Sequence, residues 1–211
     1  MTLKKILSKI EREMKEREEI KDELYDAMRK ATRLSKQAIF LVHKEQLEKA
    51  KEMLNETTKL FIILDEVPEV HQKLVHAGIV DAAFQEYTEA HVFLKLAQDN
   101  KFVGHKKIGV PSTSYLLGLA DVVGELRRRA LDSLRKGDVK VAEKSLESME
   151  LIYGEFMVMD EALRVVPELR RKFDVARRII EATRGDVTIE VRRSSLERSI
   201  KKLEKVLKTK K

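Results

Sequence analysis

At 211 residues the chain can bury one core, and its make-up, 37% charged and 5% aromatic with 8 Gly and 3 Pro, favours helix nearly throughout. The absence of cysteine excludes disulfides and thiolate metal sites and fits a reducing, cytoplasmic setting. No stretch approaches the roughly 20 apolar residues of a membrane span, and MTLKKILSKIEREMKE carries charge every few residues where a signal peptide would be apolar. A net charge of +7 points to an anionic partner, nucleic acid first.

Residues 3–43 lack Gly and Pro, and Ile6, Ile10, Met14, Ile20, Leu24, Met28 and Leu34 recur at helical spacing, which predicts one long helix or two in line. A second amphipathic helix is expected over 45–66, stopping before Pro68, and a short one over 69–77 with Gly78 as its stop. The next covers about 79–99. DNKFVGHKKIGVPS follows as a loop of turn formers and lysines. Further helices are expected over 113–136, ended by Gly137-Asp138, and over 139–166 with a break at Gly154. Pro167 suits the first turn of a helix running to Arg184 and capped by Gly185, and a last helix spans 188–208. No strand pattern, fixed-period repeat or low-complexity linker intervenes, so one all-α domain over residues 1–211 is expected.

Acid pairs three apart are common in this chain, as in Glu13/Glu16 and Glu147/Glu150, so the helix face must discriminate among them. In FQEYTEAHVFL (84–94), Ile79, Ala83, Ala90, Phe93 and Ala97 fall within roughly 60° of Glu86 on a 100°-per-residue wheel. Glu89 falls between Ala82 and Leu96, and Asp81, Thr88 and Lys95 take the opposite side. A carboxylate on an apolar stripe must be protonated, paired or bound to a cation. Two readings follow: salt bridges to arginines of a neighbouring helix, or a shared hard divalent ion. In TSYLLGLADVVGELRRRA (113–130), Asp121 and Glu125 share a face opposite Tyr115, Leu119, Val122, Val123, Leu126 and Ala130, which favours a solvated acidic pair. Gly118 and Gly124 flank Asp121, and glycines inside a helix permit another backbone to come close.

QEYTEA (85–90) and YLLGLADVVGEL (115–126) closely resemble the two signature segments of the translin–Trax family, and SKQAIFLVH (35–43) resembles a stretch of that family's long first helix. The resemblance spans about residues 5–205, and the forms of the two signatures are nearer to Trax, the catalytic member. It implies a seven-helix α-domain with a long N-terminal helix, assembling into a hollow, barrel-like octamer; here the expectation is a homo-oligomer. It also implies a Mg²⁺-dependent endoribonuclease, with Mn²⁺ as a possible substitute and no small-molecule cofactor. The substrate would be single-stranded RNA or RNA with single-stranded regions, with single-stranded DNA as a further ligand. Glu86, Glu89 and Asp121 match the family's metal-binding acids, and Glu125 completes the catalytic set. The connection before Pro111 is shorter than in eukaryotic Trax, which together with the Lys/Glu-rich, cysteine-free composition suggests a prokaryotic relative.

For holding RNA the candidates are Lys106, Lys107, Arg127, Arg128 and Arg129, then 170–172, Arg177/Arg178 and Arg192/Arg193. Arg128 falls closest to Asp121 on the wheel. With few aromatics to stack on bases, binding is expected to run through the backbone and to be salt-sensitive. Ferritin-like di-iron chemistry is excluded, because the residues three before the five histidines are Phe40, Pro68, Lys73, Thr88 and Phe102, none acidic. His91 falls away from the glutamates and reads as packing or surface. The alternative function is a non-catalytic, translin-like RNA- or single-stranded-DNA-binding oligomer; a third is a helical scaffold for protein partners.

Overall fold

A computed structural model describes residues 2–75 and 78–209. Among them no strand occurs. The helices are α1 Leu3–His43, α2 Leu47–Leu60, α3 Ile63–Glu66, a 3₁₀ helix Glu69–Leu74, α4 Gly78–Asp99, α5 His105–Ile108, α6 Ser112–Arg135, α7 Val139–Met157, α8 Asp160–Val165 and α9 Pro167–Thr209. No described helix is long and apolar enough to cross a membrane.

The long periodic segments α1, α4 and α6 match the expected spans to within a residue. The differences lie at element ends, where packing rather than a local signal decides. The expected helix over 45–66 is broken, because Phe61 and Ile62 turn out of α2 with N–H bonds back to Thr58 and Lys59 carbonyls at 3.2 and 3.4 Å. The Phe61 ring then lies 4.5 Å from that of Phe84 and 5.1 Å from that of Tyr87, contacts that hold the turn. The segment expected as a short helix over 69–77 is 3₁₀ to Leu74, and its expected end at Ala77 lies outside the described residues. The loop before Pro111 contains the one-turn helix α5.

Gly137, at φ 80, follows the end of α6 at Arg135 as expected, but the signals at Gly154 and Gly185 fail. Gly154 sits inside α7, which ends instead at Met157, with Phe156 buried and Met159 N–H bonded to the Phe156 carbonyl. Gly185 does not cap a helix; α9 runs through it for 43 residues. An interior glycine costs a helix only about 1 kcal/mol, and here buried Thr183 and Val187 pack on either side of Gly185 and carry the helix past it.

The chain divides into two compact units, Met1–Gly118 and Leu119–Lys211. In the first, α1 packs on α2, α3 and α4, and α4 also meets α2 and α5. Its core comprises Leu24, Met28 and Ala31 of α1, Leu54 of α2, and Ala83, Tyr87, Val92 and Phe93 of α4. The Tyr87 hydroxyl and Thr58 Oγ1 lie 2.6 Å apart and tie α4 to α2. In the second unit α9 packs on α7 and α8. Ala130, Ala142 and Val187 form a buried cluster ringed by Leu134, Leu146 and Val191, and the rings of Tyr153 and Phe173 stack at 4.4 Å.

Candidate active site

Within the first unit, α4 is buried on more than one face. The wheel placed Thr88 with Asp81 on the wet side, but Thr88 is fully buried. The reason is Gly118: a Cβ built there would lie 2.5 Å from the Gln85 carbonyl oxygen and 2.7 Å from the Thr88 Cβ. Only glycine allows the start of α6 to cross α4 at that distance, so this glycine does admit a second helix, as the sequence suggested. Gly124 differs, since nothing lies within 4 Å of its Cβ position.

Inside the QEYTEA segment the labour divides by face. Tyr87, Thr88 and Ala90 are buried, while Gln85, Glu86 and Glu89 are half-buried. Glu86 has a partner on α1, but it is a lysine rather than the expected arginine: Lys36 Nζ lies 3.2 Å from Glu86 Oε1, with the two side chains 62% and 26% exposed. Such an exposed pair contributes little to stability and leaves the carboxylate open to exchange.

Within the second unit, Val122, Val123, Leu126 and Ala130 of α6 are buried, as the wheel requires. Asp121 and Glu125 are half-buried rather than fully solvated. Lys172 of α9 donates to both oxygens of Asp121, at 2.5 and 2.6 Å. This pair borders a cavity of about 450 Å³ whose lining includes Val123, Gly124, Arg171, Ala176 and Ile179.

The basic candidates separate by environment. Arg127 is turned inward: its Nη1 donates to Thr183 Oγ1 at 2.7 Å and its Nη2 lies 3.4 Å from Asp186, so it joins α6 to α9. Arg129 is half-buried, whereas Arg128, Lys106 and Lys107 are exposed. His91 is half-buried as a residue, yet its Nε2 is fully buried with no hydrogen-bond partner among the described residues, and its ring meets that of Tyr87 edge-on at 4.4 Å. Burial lowers its pKa to about 4, so the imidazole is neutral and packs, as the wheel implied. Lys172 as partner of Asp121 was not foreseen; it appeared only inside the basic run 170–172, and a contact across 51 residues leaves no local signal.

The donor chemistry suits a hard divalent ion, since every candidate ligand is a carboxylate. The arrangement at Asp121 does not: both oxygens already accept from an ammonium. Within either unit, no group of three or more His, Asp or Glu side chains among the described residues is placed to hold a metal ion.

A helical chain with acids on two motif-bearing helices and a cationic surface defines a class, and comparison with known proteins names it. Residues 19–208 match the model of the Translin family, and the chain belongs to that family. An uncharacterized protein of Methanocaldococcus jannaschii is 29% identical over 190 residues, covering 89% of this chain and 84% of that protein. The structure of AfC3PO in complex with duplex RNA is similar at 33% identity and TM-score 0.74, covering 87% of this chain and 95% of that one. A crystal structure of AfC3PO is similar at 34% identity with the same TM-score, covering 87% and 96%. Apo-NeC3PO, at 24% identity and TM-score 0.77, covers 87% and 96% and shares the fold.

Proposed function

We propose that this chain is a translin-type RNA-binding protein that assembles with its own copies, and that the acids of its two motifs make it a Trax-like, metal-dependent endoribonuclease acting on single-stranded RNA. The observation that carries the RNA-binding reading is the 33% identity, over nearly the whole of both chains, with AfC3PO, which has been solved with duplex RNA. The net charge of +7 and the exposed Lys106, Lys107 and Arg128 suit binding through phosphates, which weakens steeply with salt.

The catalytic reading rests on Glu86, Glu89, Asp121 and Glu125, all acids that the resemblance matches to the family's motifs and all half-buried. Bound by Glu86, Glu89 and Asp121, Mg²⁺ would supply a Lewis acid and lower the pKa of an attacking water. The chain's own part is to hold carboxylates in fixed rotamers on rigid helices; buried Tyr87 and Ala90 lock the register of α4 around the two glutamates. The exposed cations would hold the RNA backbone and offset its charge beside the acids. In this reading every copy in the homo-oligomer, an octamer by resemblance, is catalytic.

A second reading, binding without cleavage by RNA or single-stranded DNA, is favoured by one observation: Asp121 is neutralised by Lys172 and Glu86 faces Lys36, so the acids also work as structural ion pairs. Purified protein incubated with end-labelled single-stranded RNA, with and without Mg²⁺, separates the two. Cutting that needs the metal and is lost in both Glu86→Ala and Asp121→Ala supports the nuclease. Retarded but intact RNA under every condition supports the binder, and neither retardation nor cutting refutes both.

A further inference from the structure

We propose that the exposed start of α1, from Leu3 to Glu19, docks on the same stretch of a second copy of this chain, the two helices running antiparallel; the pairing rests on the homo-oligomer reading and names one of its interfaces. Every residue from Thr2 to Glu19 is exposed, and α1 first enters the core at Leu24. The exposed stretch is nevertheless not polar all round. Leu3, Ile6, Leu7, Ile10 and Met14 all fall within about 60° of Ile10 on a 100°-per-residue wheel. These five side chains are between 39% and 70% exposed. Leu3, Leu7, Ile10 and Met14 follow the alternating steps of a coiled-coil seam. A helix extension that met only water would gain nothing from such a stripe.

Charge selects the occupant and its direction. Lys4, Lys5 and Lys9 make the start of the stretch basic, while Glu11, Glu13, Glu16, Glu18 and Glu19 outnumber Arg12, Lys15 and Arg17 toward its end. A second copy running the opposite way sets each end against its complement. Lys4 and Glu11 flank the apolar stripe on the same side, so antiparallel pairing brings Lys4 of each copy to Glu11 of the other. A parallel pair would instead face Glu13 of one copy with Glu18 of the other, like charge against like. The apolar residues agree. With Leu7 opposite Ile10 of the second copy, Leu3 lies opposite its Met14. At that end Ile10 and Met14, with His71 and Leu74, line a cavity of about 380 Å³, which has room for leucine side chains from the second copy.

The chain has no cysteine, so introduced cysteines report the pairing without background. Full-length Leu3→Cys, Met14→Cys and the double variant are oxidised with copper phenanthroline and run on a non-reducing gel. Light scattering gives the mass before oxidation, and circular dichroism melts control for folding. In an antiparallel pair, like positions lie about 16 Å apart along the axis, beyond the reach of a disulfide. The expected result is therefore cross-linked dimer in the double variant and none in either single. Adding Ile10→Asp should abolish the cross-link. Adding Lys4→Glu should lower its yield severalfold, and Glu11→Lys in the same chain should restore it. Cross-linking in the singles, or cross-linking that survives Ile10→Asp, would overturn the proposal. An oligomer by light scattering with no cross-link in the double variant overturns this pairing while the homo-oligomer reading stands. A monomer by light scattering overturns both.

Discussion

Gly118 and Gly124 lie six residues apart on α6 and have opposite meanings. At Gly118 a methyl group would strike the Gln85 carbonyl at 2.5 Å, and a backbone atom cannot swing aside. Gly118→Ala should therefore destabilise by about 2 kcal/mol, lowering the melting temperature by roughly 5 °C. Gly124→Ala, with open space around it, should instead raise the melting temperature slightly through helix propensity. A thermal melt of the two variants checks both signs. His91 gives a prediction in pH. Its folded pKa, about 4, lies below the ordinary 6.5 because burial disfavours the charged form. The unfolded chain therefore binds the proton more tightly. The neutral ring's contribution is complete above pH 6.5 and drains away as the pH falls toward 4, by at most about 3 kcal/mol. His91→Leu should flatten that part of the acid limb, read as urea midpoints at pH 7 and pH 4.5; an unchanged slope would contradict it. At this scale the sequence showed well what the helix face shows. The half-buried Glu86 and Glu89 follow from the wheel, whereas Thr88 and Lys172 do not, because their partners, Gly118 and Asp121, lie on other helices.

Among elements, periodicity located α1, α4 and α6 almost to the residue, and what it missed were ends. Glycine at 154 and 185 reads as a stop, yet a penalty of about 1 kcal/mol is smaller than the burial available to a helix that continues. At Gly185 the balance is explicit: Thr183 and Val187 are buried on one face and the glycine itself is exposed, with nothing near its Cβ position. Gly185→Ala should thus stabilise α9 by up to about 1 kcal/mol, raising the melting temperature by roughly 3 °C. A decrease would indicate a left-handed cap at that position instead. The α2 break had no breaker residue to mark it. It arises from aromatic contacts of Phe61 with Phe84 and Tyr87, which only the packed unit supplies.

For the molecule as a whole, the all-helical class was legible in composition alone, and family membership in two short segments whose match extends over residues 19–208. The acids were legible as residues, and ion pairing of the α4 glutamates with a neighbouring helix as one of two readings, but the partners Lys36 and Lys172 were not, since they come from distant positions on other helices. The central claim is that the acids of the two motifs serve one reaction. Single-turnover cleavage of a labelled RNA in Mg²⁺ by Glu86→Gln, Asp121→Asn and the double variant tests it most directly, because groups that act as a unit are non-additive. Each single change should slow cleavage by about a hundredfold or more, with the double no slower than the worse single. Wild-type rates in the singles, or losses that multiply in the double, would contradict a shared site.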